Sequence, residues 1–408
     1  MSQLFNYAMT KNILLFEPDS SGHHPGYLYH LIINFLENNY RFNLVILVAP
    51  DFFEKHPQII QKTLSPRVKW LKFSDTDFNN WQEIKSKSVT KRSFFEWELL
   101  RKYIIETKSV YVFLMYIDYL QIALITQKVL PCPVSGILFR PTLVNYPAHS
   151  LKERINTWRK NLTLRYFVKN KALDTLFNLD SFATKFIQQN WQTNKVKFLP
   201  DPVQVYASTK SVEETKKVLG IRADRKVFLI FGFLDSRKGI SEVMEAISHI
   251  SKEKSSRGTL LIVGPWEKSE RKKFDKSLGK ITQYSDFQVV VKDEFIQDED
   301  IQSYFEVSDY ILALYAKHIG MSAIMVRAAA AQKPFLTHDF GLMGKIVTEN
   351  QLGMIVENDL SQKMEMLIYS TIEVGNKEKM REFAELNSAE NYAKVILNGI
   401  TDSLVRSE

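Results

Sequence analysis

The N-terminal part of the chain alternates short apolar runs with amphipathic stretches. The run KNILLFEP (11–18) precedes SSGHHPGYLYHLIINFLE (20–37), which combines a glycine-bearing loop with helical periodicity. FNLVILVAP (42–50) is an unbroken apolar run, typical of a strand buried on both faces of a parallel sheet. VKWLKF, SVYVFLMY and VSGILF are further predicted strands. Because strands alternate with helical segments, the pattern predicts a parallel α/β sheet.

The same pattern starts again at residue 226. KVFLIFGFLDSRKGISEVMEAI (226–247) predicts a strand, a glycine loop and a helix in that order. Five further short strands are predicted, at GTLLIVGPWE, FQVVVKDEF, SDYILALY, KPFLTH and GMIVEN. Two helices are predicted at the C-terminal end, over KMREFAELNSAENYAKVILNGITDSL. KVKFLPDPVQV (195–205) contains Pro200 and Pro202, which favour an extended connection. The sequence therefore predicts two Rossmann-like halves.

Length and composition agree with two globular domains. The chain has 408 residues, of which 45% are hydrophobic and 25% charged, and this composition argues against disorder. Its 54 basic and 46 acidic residues give a net charge of +8, which favours anionic partners. Cys132 is the single cysteine, so no disulfide can form within the chain.

No targeting or membrane-spanning segment is predicted. MSQLFNYAMTKN lacks the apolar core of a secretory signal. The most apolar stretch, VYVFLMYIDYLQIALI (110–125), is shorter than the roughly 20 residues that span a bilayer, and it contains Asp118. We therefore expect a soluble, cytoplasmic protein.

A basic segment lies between the two halves. SLKERINTWRKNLTLRYFVKNKALDTLF (150–177) predicts a helix with seven basic and two acidic residues, and with apolar Trp158, Leu162, Tyr166 and Phe167. One interpretation is a solvated face above a stripe that contacts the core. The other is a helix that lies on an anionic membrane surface, which would add peripheral membrane association.

Three glycine-bearing loops could carry chemistry, and the first is GHHPGYLYHL (22–31). Gly22 permits a turn after the first strand, and His23 and His24 titrate near physiological pH. Loops at the carboxyl ends of parallel strands are where such sheets bind ligands, although a plain structural turn has the same appearance. No further ligands stand at zinc spacing, so no metal is predicted.

The second loop is FGFLDSRKGI (231–240). Gly232 permits close backbone approach, and Arg237 and Lys238 could contact phosphate oxygens. The third loop precedes the predicted helix SAIMVRAAAA, where Gly320, Met321 and Ser322 would place a helix N-terminus against an anion. A buried helix with a serine cap is the alternative, but it leaves the predicted HDFGLMG glycine loop unexplained.

The second half of the chain resembles the nucleotide-sugar half of the family-4 glycosyltransferases. The resemblance lies in the order of six segments: GFLDSRKG, LLIVGPWE, SDYILALY, GMSAIMVRAAAAQKP, THDFGLMGKIV and LGMIVENDL. The resemblance implies the α/β GT-B fold, with Rossmann-like domains at 1–200 and 201–385 and a cleft between them. It also implies that a C-terminal helix (386–408) packs back toward the N-terminal domain.

The resemblance also implies roles for the donor-site residues. Lys238 matches the family's phosphate-binding lysine, and the turn from Gly320 to Ser322 matches the seat of the diphosphate. Pro265 and Trp266 would approach the nucleotide, and the backbone of Phe295 and Ile296 would contact its base. The donor would be a UDP- or GDP-linked sugar, transferred with retention and without metal or other cofactor.

The chain departs from the family at four positions. The paired glutamates of the family are replaced by Ile319 and Arg327, its arginine by Phe233, and the glutamate of its glycine loop by Lys345. A guanidinium donates hydrogen bonds but cannot accept them. We therefore expect Arg327 to join Lys238 in stabilising the leaving diphosphate, as the catalytic cations of a modified donor site that also includes Gly232 and Lys345.

The sequence thus predicts a hexosyltransferase-type enzyme whose acceptor, a glycan or a lipid-linked molecule, is unidentified. Two alternatives stay open: a catalytically inactive GT-B module that binds a partner, and a sugar-nucleotide epimerase with His23, His24 or His318 as acid–base. No RNA or DNA motif is present, so nucleic acid is not an expected partner. The acceptor would be bound by the first domain through Gly22, His23, His24, Tyr27 and Arg140, and the two histidines are also candidates for catalysis. Arg140 could instead contact the donor phosphate, or be a plain surface arginine beside Pro141.

Overall fold

The computed structural model describes residues 11–126, 130–139, 151–316, 318, 320–370 and 372–406. The chain divides into two compact units. The first comprises residues up to Pro202 together with those from Ala389 onward, and the second comprises Val203–Ser388. The sequence placed the corresponding boundaries after residues 200 and 385.

The first unit contains a parallel sheet of seven strands in the order β3-β2-β1-β4-β5-β6-β7 among the described residues. Its strands are unbroken apolar runs because helices cover both faces. The strands are β1 Lys11–Glu17, β2 Phe42–Val48, β3 Val68–Lys72, β4 Ser109–Leu114, β5 Val134–Leu138, β6 Leu173–Asn178 and β7 Val196–Phe198.

The helices of the first unit include one contributed by the C-terminal segment. Helix α18 packs on α1 near the carboxyl end of the sheet, where the rings of Tyr27 and Tyr392 lie 5.5 Å apart. The helices are α1 His24–Glu37, α2 Asp51–Lys55, α3 Pro57–Lys62, α4 Asp75–Lys85, α5 Val89–Thr107, α6 Gln121–Thr126, α7 Leu151–Val168, α8 Ser181–Trp191 and α18 Ala389–Arg406.

The second unit contains a parallel sheet of six strands in the order β10-β9-β8-β11-β12-β13 within the described ranges. The apolar face of α10 packs on β8 and β9 through Val243, Met244 and Ile247. The strands are β8 Lys226–Phe231, β9 Gly258–Val263, β10 Gln288–Lys292, β11 Tyr310–Leu312, β12 Phe335–His338 and β13 Gly353–Val356.

In the second unit, helices lie between successive strands along the chain. A 3₁₀ turn, Ser236–Lys238, precedes α10. The helices are α9 Val212–Val218, α10 Ile240–Ser248, α11 Lys252–Ser255, α12 Lys268–Tyr284, α13 Asp298–Glu306, α14 Ala323–Ala330, α15 Gly341–Glu349, α16 Leu360–Tyr369 and α17 Lys377–Leu386.

The predicted fold class, two Rossmann-like α/β domains, is confirmed, and every predicted strand forms. Strands β6 and β7 were missed. The basic helix predicted over 150–177 is too long: it ends at Val168, and residues 173–178 form β6. The reason is that Leu173, Leu176 and Phe177 are buried and β6 pairs with β5, so sheet pairing outweighs the helical composition.

The prediction of a glycine loop at HDFGLMG (338–344) is also wrong, because helix α15 begins at Gly341, shortly after β12 ends. Gly341 has a φ of +63°, which makes the sharp turn into the helix possible. A Cβ at Gly344 would lie 2.9 Å from the carbonyl oxygen of His338, so this glycine lets α15 pack closely on the end of the strand. No helix of the described residues is both long and apolar enough to cross a bilayer.

Candidate functional site

In parallel α/β sheets, ligands bind beyond the carboxyl ends of the strands. In the second unit, the loops after β8 and β9 are joined there by a hydrogen bond from the Leu234 amide to the Pro265 carbonyl oxygen (2.9 Å). A Cβ on Gly264 would lie 2.0 Å from the carbonyl oxygen of Gly232, and Gly264 has a φ of +134°. Only glycine fits at position 264, so the two loops form one closely packed surface.

Lys238 lies in this surface, at the end of the 3₁₀ turn, and is only 8% exposed. Its Nζ donates to the carbonyl oxygen of Phe231 (2.8 Å) and to the hydroxyl of Tyr315 (2.5 Å). A Cβ on Gly232 would come within 3.0 Å of this Nζ, so the glycine makes room for the amine. Burial lowers the pKa of Lys238 to about 8.

Arg237, its neighbour in the sequence, has a different environment. Its guanidinium is largely exposed and forms an ion pair with Asp235, with an Nη2–Oδ2 distance of 2.7 Å. Among the described residues Lys238 forms no ion pair, although the charge of Asp235 acts on its pKa, and its Nζ donates to two neutral oxygens. Of the two cations predicted to reach a phosphate, Lys238 is therefore the one with charge left to neutralise an anion.

Tyr315 connects Lys238 to the segment that precedes α14. Its side chain is buried near that of Ser322, and burial raises its pKa, so it stays protonated. The His318 ring lies edge-on to Tyr315 at 5.4 Å, with Nε2 3.3 Å from the Met321 carbonyl oxygen. The structure thus brings together Lys238, Tyr315, His318, Met321 and Ser322.

The N-terminus of α14 opens on this cluster. Ser322 is the residue that precedes the helix, but its side chain makes no capping hydrogen bond to the helix backbone. The free amide groups of the first turn, with their partial positive charge, can therefore bind another hydrogen-bond acceptor. Gly320 does not have a positive φ, and a Cβ there would meet only His318 Nε2 at 3.9 Å. The backbone turn thus does not require glycine at position 320.

Arg327 lies in the middle of α14, 9% exposed, on the side that faces α13. Its Nη2 is 3.9 Å from Asp298 Oδ1, and its buried Nη1 has no hydrogen-bond partner. Burial lowers the pKa of Arg327, and the charge of Asp298 partly offsets this effect. Among the described residues it interacts with Asp298 of α13 and with Tyr206, and no contact with Lys238 is seen, so the joint clamp of the two cations stays a prediction.

The remaining predicted donor residues lie around this end of the sheet. Trp266 packs against Phe274 (5.0 Å between ring centroids), and its buried Nε1 has no partner. Phe295 is exposed and Ile296 is buried, directly before α13. Lys345 is half-buried within α15 rather than in a loop.

The first unit has a different pair of groups at the carboxyl end of its central strand. Glu17 is the last residue of β1 and is 1% exposed. Its Oε2 lies 2.7 Å from Nδ1 of His24, and its Oε1 accepts a hydrogen bond from the Asp19 amide (2.9 Å). Burial raises the pKa of Glu17, although His24 works against this. Burial would lower the pKa of His24, but the hydrogen bond and charge of Glu17 outweigh it, and the net pKa of His24 is raised.

The other predicted acceptor residues surround this pair. Gly22 has a φ of +62° and makes the turn into α1, and His23 is exposed and stacks on His24 at 4.7 Å. Tyr27 donates a hydrogen bond to Asp201. His24, in contrast to His23, is largely buried. Arg140 and Ile319 lie outside the described residues.

Sequence analysis missed Glu17 and Tyr315 as candidate functional residues. Both stand at or just beyond the carboxyl end of a strand, and that position is the signal that could have identified them. Among the described residues, no group of three or more His, Cys, Asp or Glu side chains is placed to hold a metal ion.

Comparison with known proteins identifies the class to which this fold belongs. Residues 211–386 match the family "Glycosyl transferases group 1". No curated protein gives a significant match to the sequence. The family match covers the second unit almost completely, including Lys238, Tyr315 and Arg327.

Solved structures extend the similarity over nearly the whole chain. Sucrose-phosphate synthase from Thermosynechococcus elongatus has a TM-score of 0.68 at 14% identity, over 98% of this chain and all of that one. A glycosyltransferase from Rickettsia africae ESF-5 has a TM-score of 0.65 at 14% identity, with 98% and 100% coverage. Anabaena HepE in complex with UDP and glucose has a TM-score of 0.59 at 14% identity, again with 98% and 100% coverage.

These structural similarities show the GT-B fold, which the chain shares with glycosyltransferases. Residues 211–386 are similar to the glycosyl transferases group 1, so this sequence similarity is one of the second unit. The resemblance seen in the sequence is thereby confirmed, and the family and the fold together support a glycosyl-transfer function.

Proposed function

We propose that the protein transfers a hexose from a nucleotide-diphosphate sugar to a hydroxyl group of an acceptor, without a metal ion. The observation that carries this proposal is the environment of Lys238. Its amine is buried among neutral oxygens, although a buried charge without an anionic partner is unfavourable. Such a cost persists where function requires the charge, and a diphosphate would supply the missing anion.

The neighbouring α14 supports the same ligand. Its N-terminus has no side-chain cap, and helix N-termini bind phosphate through their amide groups and their partial positive charge. Lys238 and α14 would then stabilise the charge that develops on the leaving nucleoside diphosphate as the bond to the sugar breaks. The HepE complexes with UDP and with UDP-glucose favour a UDP-linked donor.

Arg327 would hold the donor in place of the glutamate expected at its position. Its Nη1 has no partner in the described structure, so it can donate to a ribose hydroxyl or to a phosphate oxygen. A guanidinium offers several donors in one plane, which suits either acceptor. Phe295, exposed just before α13, would offer a surface to the base.

In the first unit, His24 would bind the acceptor hydroxyl. Glu17 occupies Nδ1 of the imidazole, so Nε2 is the nitrogen left to exchange a proton or a hydrogen bond with a ligand. As its oxygen bonds to the anomeric carbon, the hydroxyl gives its proton to Nε2 of His24, and the bond between the anomeric carbon and the phosphate oxygen breaks, which releases the nucleoside diphosphate. Retention of configuration is proposed from the family resemblance.

A screen of UDP-, GDP- and ADP-linked sugars tests the proposal. Each is assayed for its effect on the melting temperature and for slow hydrolysis to the nucleoside diphosphate, and the product of the best donor is analysed by NMR for its anomeric configuration. We expect one nucleotide class to raise the melting temperature and to be hydrolysed. If none of them does either, the proposal fails.

A second candidate is a GT-B module that binds a nucleotide-sugar without turnover. The replacement of two family carboxylates by Ile319 and Arg327 favours it, since those carboxylates contact the sugar and ribose in the family that the sequence resembles. The same screen separates the two candidates, because a module of this kind would be stabilised by the nucleotide but would release no diphosphate.

A further inference from the structure

Helix α7 exposes a continuous apolar strip on the surface of the first unit. Its five side chains are between 38% and 72% exposed. Their spacing of four, three, four and four residues confines them to about 80° of the helix circumference, at 3.6 residues per turn. The strip consists of Leu151, Ile155, Trp158, Leu162 and Tyr166.

This strip is not the face that packs on the core. Leu164, Phe167 and Val168 of the same helix are buried and belong to the core of the first unit. The sequence predicts one apolar stripe that contains Trp158, Leu162, Tyr166 and Phe167. In the structure Phe167 is buried in the core, whereas the other three are exposed. The helix therefore has a second apolar face that no described residue covers.

Basic side chains line both borders of the strip. On the helical wheel, Lys152 and Arg159 lie on one side, and Arg154 and Arg165 on the other. All four are exposed, and none forms an ion pair with a carboxylate in the described part of the chain. The helix carries only one acidic residue, Glu153, among its 18 residues.

We propose that this face of α7 docks the protein on an anionic phospholipid surface. An apolar strip that contains Trp and Tyr suits the region between head groups and acyl chains, where amphipathic aromatic side chains are preferred. Arginine and lysine on both borders match the negative head groups. The proposal goes beyond sugar transfer and does not depend on the identity of the donor.

A second copy of the chain is a less suitable partner. A two-fold interface through this face would place the basic borders of two copies near each other, and like charges oppose such contact. An anionic bilayer both buries the strip and compensates the charges. The charge on the borders therefore decides between these two occupants.

Vesicle flotation of the full-length protein tests the proposal. We expect binding to vesicles that contain phosphatidylglycerol, little binding to pure phosphatidylcholine, and weaker binding at high salt. Arg159→Gln with Arg165→Gln should reduce affinity about 25-fold, at about fivefold per basic side chain. Trp158→Ser with Tyr166→Ser should also reduce it at least about tenfold.

The matched control is Lys272→Gln with Lys276→Gln, which removes the same charge from an exposed helix of the second unit, α12. It should bind vesicles like the wild type, and circular dichroism and melting temperature check that every variant folds. Failure to bind anionic vesicles, equal binding to neutral ones, or equal losses in the control and the α7 variants would overturn the proposal. So would a concentration-dependent dimer in solution that the Trp158→Ser and Tyr166→Ser variant loses, since the strip would then serve a second copy.

Discussion

The carboxyl ends of the two sheets differ in charge. In the second unit, Lys238 is buried against a hydroxyl and a carbonyl oxygen and forms no ion pair with a described carboxylate. In the first unit, Glu17 is buried at the end of β1 and binds the imidazole of His24. One end has a cation that lacks an anion, and the other has a carboxylate that sets the state of a histidine.

This difference shows how one architecture can serve two ligands. Both sheets are parallel and both place polar side chains beyond strand ends, so the fold alone does not separate their roles. The side chains do. A cation without a partner suits a diphosphate, whereas a carboxylate–histidine pair suits a neutral hydroxyl group.

The largest expected effect comes from removing the cation. Lys238→Met should weaken binding of the nucleotide-sugar about 100-fold, since hydrogen bonds to charged groups contribute about 1.5–3 kcal/mol and a charge is also lost. Isothermal titration calorimetry with the donor found in the screen measures this change.

The same substitution should not destabilise the unliganded protein. The folded-state pKa of Lys238, about 8, lies below its ordinary value of 10.5, so the unfolded chain binds this proton more tightly. The charged lysine therefore lowers the folding stability at neutral pH, and this cost falls as the pH rises from about 8 toward 10.5. Lys252→Met, at an exposed position of the same unit, is the control and should leave donor affinity unchanged. An unaffected affinity in Lys238→Met would contradict the role of the buried amine.

The next effect concerns the carboxylate of the first unit. Glu17→Gln should lower the pKa of His24, because burial then acts without the opposing Glu17 carboxylate. Transfer to the acceptor should slow about tenfold while donor affinity stays the same. NMR titration of the imidazole and a pH profile of the transfer rate measure these changes.

Glu37→Gln provides a matched control, because Glu37 is the exposed last residue of α1. It should change neither the pKa of His24 nor the rate. A Glu17→Gln enzyme with a shifted imidazole pKa but an unchanged pH profile would show that the pair is structural only.

The sequence predicted the fold better than it predicted the site. The apolar runs identified the strands because buried parallel strands require them. They missed β6, whose LDTLFN follows a basic helix, because pairing with β5 decides its conformation. Lys238 was found from its place after a strand. Glu17 and Tyr315 have similar places, but their pairing with His24 and with Lys238, which lie on other elements, became visible only in the structure.

An effect on donor affinity smaller than that of Lys238→Met is expected at Arg327. Arg327→Gln should weaken donor binding about tenfold, because one donor group is lost while the buried lysine stays. Arg327→Lys should give an intermediate affinity, since the charge is kept without the planar fork. Calorimetry with the same donor measures both.

Arg225→Gln is the matched control for Arg327. Arg225 is equally buried but lies at the amino end of β8, where its Nη1 donates to the carbonyl oxygens of Gly258 (2.8 Å) and Asp286 (2.9 Å). Its substitution should lower the melting temperature without changing donor affinity. If Arg327→Gln behaves in the same way, Arg327 is structural and does not bind the donor.

The most direct test of the central claim, that Lys238 is the cation of a diphosphate site, is the proton uptake that accompanies nucleotide binding. Above pH 8 the free protein holds this lysine largely neutral, whereas a bound diphosphate favours the charged form. Calorimetric titration with the nucleoside diphosphate at about pH 9, in two buffers of different ionisation enthalpy, should show uptake that approaches one proton, with affinity falling about tenfold per pH unit. Lys238→Met should abolish this uptake. Tight binding without proton uptake in the wild type, or the same uptake in the variant, would contradict the claim.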